Sequence, residues 1–577
     1  MYWPSHISQK KPLLLLGWDP IEGMDVEQDA QALVSAYQQV APRPWAEIAM
    51  VVGDLSSQNM EIYAAACDRA SVPLVLQVRT WPGEWLPQWR QWTVPVAEWS
   101  ALAQNHPSVV GAQVVELNCF GFSTEERLYV RQLMQACAAQ GKFLSWQEAN
   151  DGTNLWVDVG LDREFFADLC RYGTYILPQW EMNIARSMYL CQASVWGLWL
   201  SQAVDHWGVE AQSWYWHTCG YTRLNTVDER FDQGYRQGDR AAFPDTMWGQ
   251  MLLLGASAGA TVYSIEPTRD VVWAKDPAGP LARTYLDVIE PFFTQLAAVG
   301  IPSLQEVRAK IQVAYHADFS SEHAAQTSDV DYFRARTTDS WRHGRQRHRG
   351  AGSGTWWKGS YGISDERDMI PNTGRYYWLP VLPKFTEPDQ LRVYPALITP
   401  NTFASESEVR QFLDARYPVG SVRGQGFWAE FATGWFLCHS VENTDVCQTV
   451  ILDDLNDEMI ERLVVTWGPH AFALIHRTKG LWHLYQQGRG DQEATWSLTV
   501  RQPCRLEVDS DSSGWLAWQG QRMVDQVPHV LAAGEHRLTV HPPVALAIRP
   551  EKATERPVEQ RMGGQQTIGA LGQEGEG

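Results

Sequence analysis

Eight short apolar runs, separated by stretches with helical spacing, limit most strongly what about the first 300 residues of this chain can fold into. The alternation predicts buried strands joined by amphipathic helices, and eight such units fit an α/β fold, the TIM-like (β/α)8 barrel. A doubly wound open sheet would need fewer strands and a glycine-rich phosphate turn, which the sequence lacks. The predicted strands are 13–19, 48–54, 73–79, 109–116, 142–148, 175–181, 195–202 and 260–266.

Acidic residues stand at the carboxyl ends of six of these eight predicted strands. Strands often end in polar residues as they reach the surface, so one such acid carries little weight. In a barrel, however, these ends share one rim, and acids far apart in sequence would converge there. The six are Asp19, Asp54, Glu116, Glu148, Glu181 and Glu266.

Tryptophan is the second unusual feature, with 29 among 577 residues and five between positions 196 and 216. Many of these rings are expected to fill cores, but rings beside acidic groups also offer flat faces to the C–H groups of sugars. Glycosidic cleavage needs one carboxyl group to protonate the leaving oxygen and a second to act as base or nucleophile. The combination predicts a glycoside hydrolase.

The predicted catalytic residues lie on the fourth strand, on the last strand and after the seventh. Glu116 is the expected general acid, because it ends an apolar strand and apolar surroundings raise the pKa of a carboxyl group. Glu266 ends the last strand and is the expected second carboxylate, which acts as base or nucleophile. Its partner in orienting a water is Asp205, which follows the seventh predicted strand, or Glu210, which precedes a Trp-Tyr-Trp run.

Substrate-binding candidates are aromatic and polar side chains near the same strand ends. A single tryptophan is more often part of a core than a ligand platform, and a glutamate there can cap its strand as well as bind a sugar hydroxyl. The candidates are Trp146, Glu148, Trp180, Glu181, Trp207, Trp214, Trp216 and His217. No HExxH zinc motif or serine nucleophile elbow is present, so neither a metal nor a cofactor is expected.

Three segments of the chain resemble glycoside hydrolase family 98. They are Val-Val-Glu-Leu-Asn-Cys-Phe-Gly-Phe at 114–122, Gly-Leu-Trp-Leu-Ser at 197–201 with Asp-His-Trp-Gly at 205–208, and Ile-Pro-Asn-Thr-Gly-Arg-Tyr-Tyr-Trp at 370–378. The resemblance covers roughly residues 10–385. It also extends to a C-terminal β domain of the kind that this family carries.

The resemblance implies endo-acting, inverting hydrolysis of β-1,4 bonds in galactose-containing blood-group glycans or in xylan. It implies that Glu116 is the acid and that an Asp–Glu pair is the base, with Glu266 as the glutamate and Asp205, in competition with Glu210, as its partner. A retaining barrel glycosidase with Glu266 as nucleophile is an alternative, although Val115 stands where such enzymes usually have asparagine. A non-catalytic glycan-binding barrel is another.

The chain divides into four predicted segments. Residues 1–310 form the barrel, and 311–425 are a connecting region with loops beside the site. Closely spaced strands separated by turn residues in 426–550 predict a β-sandwich, for which we expect a supporting role rather than glycan binding. Residues 551–577 contain little apolar sequence and are expected to be a disordered tail.

The net charge of −20, from 67 acidic and 47 basic residues, argues against a nucleic-acid or membrane partner. An oligo- or polysaccharide is the expected partner, and the sequence does not indicate an oligomeric state. Nine cysteines without CxxC spacing predict neither structural zinc nor a disulfide framework. The apolar run at 13–16 is too short for a signal peptide. We therefore expect a cytoplasmic protein unless a leader was removed, in which case the resemblance implies secretion.

Overall fold

The structure is a computed structural model that describes residues 3–551 with gaps. The parts outside the described residues are 22, 54–55, 80–92, 118–123, 149–154, 183–187, 213–244, 267, 269–270, 275–278, 319–377, 400–401, 404–407, 409–410, 414, 417–421, 424–425, 440–447, 454, 456, 468–470, 479, 488–492, 509–514 and 524–526. The predicted tail therefore lies outside the described residues from position 552 onward.

The first eight strands form a closed barrel in which every neighbouring pair is parallel. Their order around the barrel is their order in the chain, which confirms the predicted barrel. The strands are β1 Leu13–Trp18, β2 Glu47–Val52, β3 Leu74–Arg79, β4 Val109–Val115, β5 Phe143–Glu148, β6 Ile176–Met182, β7 Gly208–Gln212 and β8 Val262–Glu266.

Local sequence accounts for where several helices begin. The Ser56 side chain accepts a hydrogen bond from the Asn59 N–H, and Asp25 caps the helix that starts at Val26 in the same way. None of the helices in the described ranges is both long and apolar enough to cross a membrane. The helices are α1 Val26–Val40, α2 Ser57–Ala70, α3 Val96–Asn105, α4 Thr124–Gln140, α5 Leu155–Leu161, α6 Arg163–Tyr172, α7 Met188–Leu200, α8 Asp245–Ser257, α9 Glu290–Val299, α10 Leu304–Lys310 and α11 Pro388–Leu391.

The prediction of a strand at 195–202 is wrong, because this run forms the last part of α7 and the seventh strand is β7. A short apolar run does not by itself distinguish a buried strand from a buried helix. Helix α7 has no polar face, and it packs against β6, α5 and β10 (Val381–Leu382), a strand from far along the chain. Distant sequence therefore decides the conformation of this run.

Two antiparallel sheets of eight and six strands follow the barrel and enclose one apolar core, so the predicted β-sandwich is confirmed. A small parallel sheet of β9 Ala314–His316, β10 and β11 Leu397–Ile398 connects the two parts. The sandwich strands are β12 Val422–Arg423, β13 Gly426–Phe431, β14 Gly434–His439, β15 Gln448–Leu452, β16 Ile460–Trp467, β17 Phe472–Thr478, β18 Leu481–Gln487, β19 Ala494–Val500, β20 Cys504–Val508, β21 Trp515–Trp518, β22 Gln521–Arg522, β23 His529–Leu531, β24 Gly534–His541 and β25 Val544–Pro550.

The sandwich is anchored to the barrel through aromatic packing. The ring of Phe292 on α9 lies 5.3 Å from that of Phe436 on β14 and 6.3 Å from that of Phe472 on β17. These side chains belong to the same buried cluster as the helix-facing side of the barrel. The barrel and the larger sheet therefore share a core, while the supporting role of the sandwich stays a prediction.

Gly197 allows α7 to approach β10 closely. A Cβ at this position would lie 1.7 Å from the carbonyl oxygen of Val381. Helix propensity alone would favour alanine by about 1 kcal/mol. We expect the opposite sign, with Gly197→Ala lowering the free energy of unfolding by about 1–3 kcal/mol because the backbone has to move. The midpoint of denaturant unfolding measures this change.

Gly17→Ala is the matched control for Gly197→Ala. A Cβ on Gly17 would lie 3.7 Å from the nearest backbone oxygen, which is ordinary contact. We expect the control to leave the midpoint nearly unchanged. A higher midpoint for Gly197→Ala would contradict the close approach of α7 and β10.

Candidate active site

The interior of the barrel changes from apolar to polar along the strands. Its amino-terminal end is filled by apolar side chains such as Leu15 and Leu177. Above them, Ser264 Oγ donates to Gln179 Oε1 at 2.7 Å, and Gln179 Nε2 donates to Ser145 Oγ at 2.7 Å. Barrels of this type are usually filled with branched apolar side chains. A buried hydrogen-bonded layer therefore lies directly below the carboxyl rim.

Gln147 connects this polar layer to the acidic groups above it. Its side-chain amide lies 2.8 Å from Ser264 Oγ and 3.0 Å from Glu210 Oε1. Glu210 is on β7 and is 3% exposed, so its carboxyl group depends on such partners rather than on bulk water. Polar residues at alternate positions in otherwise apolar strands, such as Ser145 and Gln147 on β5, were the sequence signal for this layer, which the prediction from sequence did not include.

Four glutamates converge at the carboxyl end of the barrel. In register, Glu181 on β6 lies opposite Glu210 on β7, and Gln212 on β7 lies opposite Glu266 on β8. Gln212 Nε2 donates to Glu181 Oε1 at 2.8 Å and to Glu266 Oε2 at 3.0 Å. The charge of Glu116 acts on all three of the other glutamates. The predicted convergence of Glu116, Glu181 and Glu266 is therefore present, with Glu210 among them.

The four carboxyl groups form two hydrogen-bonded pairs. Burial, followed by the charges of Glu116, Glu210 and Glu266, raises the pKa of Glu181, which also shares a hydrogen bond with Glu116. Burial, followed by the charge of Glu266, raises the pKa of Glu210, which shares a hydrogen bond with Glu266. Each pair therefore holds a proton at pH values at which an exposed glutamate is ionised.

Glu266 is the member of its pair that ionises more readily. Burial, followed by the charges of Asp19 and Glu116, raises its pKa to about 7, while hydrogen bonds from Glu210 and Gln212 oppose this rise. Glu266 is partly exposed, whereas Glu210 is buried. The arrangement therefore places a protonated Glu210 behind a Glu266 carboxylate that reaches the barrel mouth.

Glu116 has a strained backbone. Its φ of 51° lies in the left-handed region, which costs a residue with a Cβ about 1–2 kcal/mol. Its N–H still donates to the Gln147 carbonyl oxygen at 3.0 Å, and the next N–H, of Leu117, donates to Glu148 Oε1 at 3.1 Å. Strain of this kind persists where the surrounding structure enforces it, often at functional sites.

The structure does not place Asp205 at this site. Asp205 precedes β7, and its N–H contacts the Gly173 carbonyl oxygen at 3.4 Å, just before the start of β6. It is exposed at the amino-terminal end of the barrel, while Glu266 ends β8 at the carboxyl end. The misassigned strand at 195–202 caused this error, and Glu210 is the carboxylate that lies beside Glu266.

Four of the predicted substrate-binding residues have no exposed surface with which to bind a sugar. Trp146, Glu148, Trp180 and Trp207 are all 0% exposed. Trp146 alternates with the inward-facing Gln147 and packs on Trp156 at 4.8 Å, on the helix side of the barrel. Trp146, Trp180 and Trp207 therefore serve as core residues.

The remaining predicted acidic and substrate-binding residues lie in different places, and some lie outside the described residues. Glu181 is 1% exposed and lies among the four glutamates as a partner of Glu116. Asp19 is exposed just after β1. Within the described residues, no group of three or more His, Cys, Asp and Glu side chains is arranged to hold a metal ion. Asp54, Trp214, Trp216 and His217 lie outside the described residues.

Comparison with known proteins points to one family. Residues 35–302 match the model of glycosyl hydrolase family 98, and residues 305–526 match that of the glycosyl hydrolase family 98 C-terminal domain. A comparison with curated protein sequences found no significant match.

Solved structures with the same fold include the catalytic module of a family 98 glycoside hydrolase from Streptococcus pneumoniae TIGR4. It is known in its native form, with the H-disaccharide blood group antigen and with the LewisY pentasaccharide blood group antigen. Each of the three is 16% identical to this chain, with a TM-score of 0.68, and the match covers 94% of this chain and 99% of the other.

The buried glutamates should make stability fall as pH rises. A carboxyl group whose pKa is raised by folding contributes stability below its unfolded pKa of about 4.3 and loses it as pH rises through the folded pKa. Glu181→Gln removes this titration. We therefore expect its gain in Tm over the wild type to be larger at pH 8 than at pH 5, by about 2–4 °C for each kcal/mol of linked stability.

Glu461→Gln, at an exposed glutamate on β16, is the control for this comparison. Its Tm difference from the wild type should be the same at both pH values. An equally pH-independent difference for Glu181→Gln would contradict the raised pKa of Glu181.

Proposed function

We propose, because the chain belongs to glycoside hydrolase family 98, that it cleaves β-1,4 glycosidic bonds within a glycan, with inversion of the anomeric centre. Glu116 acts as the general acid, and Glu266, assisted by Glu210, acts as the general base. The observation that carries this proposal is the pair of hydrogen-bonded carboxyl couples, Glu116–Glu181 and Glu210–Glu266, linked at the barrel mouth by Gln212.

The reaction needs one proton donor and one proton acceptor. Glu116 gives the proton that it shares with Glu181 to the glycosidic oxygen as the bond from that oxygen to the anomeric carbon breaks. Glu266 takes a proton from a water whose oxygen attacks the same carbon from the opposite face. The products are a new reducing end and a free hydroxyl group on the leaving sugar, so all protons are accounted for.

The roles of Glu266 and Glu210 follow from their surroundings. Glu266 is partly exposed and ionises near neutral pH, so it can meet a water and accept its proton. Glu210 is buried and has a raised pKa, which suits a hydrogen-bond donor that fixes the orientation of the Glu266 carboxylate. In this chain a second glutamate therefore takes the place that the family resemblance implies for an aspartate.

The separation of the Glu116 and Glu266 carboxyl groups decides between inversion and retention. Glu116 shares a hydrogen bond with Glu181, and the Gln212 side chain donates to both Glu181 and Glu266. Inverting enzymes need about 6.5–9.5 Å between the two carboxyl groups to admit a water, whereas retaining enzymes hold them at about 5–5.5 Å. We propose inversion on the family resemblance, which requires the wider spacing.

Two substrate classes fit the resemblance, and we propose a galactose-containing blood-group glycan ahead of xylan. The support is that the pneumococcal family 98 structures with this fold contain the H and LewisY antigens. The net charge of −20 suits a neutral glycan of either class.

Substitution of Glu116 tests the proposed function. We expect Glu116→Gln to lower kcat by about 10²–10⁴-fold, because general-acid catalysis contributes that much, while glycan binding persists. Hydrolysis is measured on H and LewisY oligosaccharides and on xylan, and binding by calorimetry. Glu461→Gln is the control and should retain full activity. No turnover by the wild type on any of these substrates would instead favour a glycan-binding barrel.

The pH dependence of kcat/KM tests Glu266 as the base. A base works only when ionised, so kcat/KM should rise as pH increases through about 7. Asp19→Asn removes a negative charge that raises the pKa of Glu266, so it should move this rise in kcat/KM, the acidic limb of the pH profile, to lower pH. Asp205→Asn, at the other end of the barrel, is the matched control and should leave the limb in place. An unchanged limb in Asp19→Asn would contradict the assignment.

A further inference from the structure

Strand alternation alone would direct Glu116 away from the barrel mouth. In the β4–β5 register, Val114 lies opposite Trp146 and Val115 lies opposite Gln147. Residues opposite each other in a sheet point to the same face, and successive residues alternate. Gln147 faces the interior and Trp146 the helices, so an extended continuation would send the next residue of β4 outward.

The left-handed backbone at Glu116 changes this direction. With φ at 51°, the chain leaves the extended path at the residue that would otherwise face the helices. The Glu116 carboxyl group instead shares a hydrogen bond with Glu181, and its charge acts on Glu266. The turn therefore brings the acid into the cluster from which it acts.

Glu148 fixes the chain immediately after this turn. Its Oε1 accepts hydrogen bonds from the Leu117 N–H at 3.1 Å and from Trp146 Nε1 at 2.6 Å. Glu148, Trp146 and Leu117 are all 0% exposed, and Trp146 is held by its contact with the Trp156 ring. The carboxyl oxygen thus ties the first N–H beyond the turn to the rigid strand β5.

We propose that Glu148 is a positioning residue: by holding the Leu117 N–H, it maintains the left-handed turn at Glu116 and aims the general acid at the leaving oxygen. Its side chain is buried on the helix side of the barrel, so it acts through Glu116 without touching the substrate. This inference rests on the proposed role of Glu116 as the acid.

Removal of the acceptor should affect protonation of the leaving group specifically. Glu148→Leu fills a similar volume but cannot accept from the Leu117 N–H. Because a displacement of about 1 Å can cost 10²-fold in rate, we expect kcat on H, LewisY or xylan oligosaccharides to fall about 10²-fold, with KM little changed. Glu148→Gln retains an oxygen acceptor with the same reach and should rescue most of the activity.

A substrate that needs no acid distinguishes positioning from a general structural role. The probes are 2,4-dinitrophenyl β-glycosides of xylobiose and of the H disaccharide, whose leaving group departs without protonation. On whichever probe the wild type cleaves, Glu148→Leu should retain a rate within about threefold of wild type, because Glu266 and Glu210, which activate the water, are unchanged. An equal loss on the natural bond and on the probe would overturn the inference.

A double variant supplies the second test. If Glu148 acts only through Glu116, then Glu116→Gln combined with Glu148→Leu should be no slower than Glu116→Gln alone. A further loss in the double variant would overturn the inference. Should Glu148→Leu fail to fold, Glu148→Asp takes its place with the same expectations, since it withdraws the carboxyl group by one methylene.

The two proposals fail in different ways. Full activity in Glu116→Gln would contradict the proposed function, in which Glu116 is the general acid. Loss of activity in Glu116→Gln, together with full activity in Glu148→Leu on the natural bond, would remove only the positioning role.

Discussion

Four carboxyl groups held within reach of one another at one end of a closed barrel are the constraint that the rest of the structure has to satisfy. Carboxyl groups that are buried so close together cannot all be ionised at once. Glu181 and Glu210 therefore retain protons at pH values that ionise an exposed glutamate. The Gln212 amide and the buried layer below it provide the hydrogen bonds that such groups require. The proton on Glu181 lies in its hydrogen bond to Glu116, and the proton on Glu210 lies in its hydrogen bond to Glu266.

The sequence was sufficient to predict most of the barrel because its strands are apolar runs set between amphipathic helices. Glu116 and Glu266 lie at the carboxyl rim, as predicted, because Glu116 directly follows β4 and Glu266 ends β8. The run at 195–202 could not be assigned from local pattern, since residues 192–200 of α7 are all buried and α7 packs against β10, which comes about 180 residues later. Asp205 was then placed at the wrong end of the barrel.

The site details that sequence could not supply depend on side-chain direction. Glu148 and Glu116 both stand at strand ends, yet Glu148 is buried on the helix side and Glu116 turns inward. The left-handed backbone conformation that turns Glu116 inward could not be predicted from the residue type. The tryptophans next to the acids were equally ambiguous, because a strand buried on both faces gives no signal of which face meets the cavity. Trp146 and Trp180 belong to the outer face and to the core.

The sandwich packs on a helix that follows the last barrel strand. Its larger sheet packs on α9 through Phe436 and Phe472, so the last units of the barrel, including β8, are braced from outside. The strand that carries Glu266, β8, also contributes Tyr263 to this shared core. This shared packing is the physical basis for the supporting role that we assign to the sandwich.

Proton NMR of the first reducing-end anomer released from a blood-group or xylan oligosaccharide tests the central claim most directly. With Glu116 on one face of the anomeric carbon, and Glu266, Glu210 and the attacking water on the other, a β-linked substrate should yield the α-anomer first, with the β-anomer appearing only as mutarotation proceeds. Initial release of the β-anomer would show retention, and with it a nucleophilic Glu266 in place of the activated water.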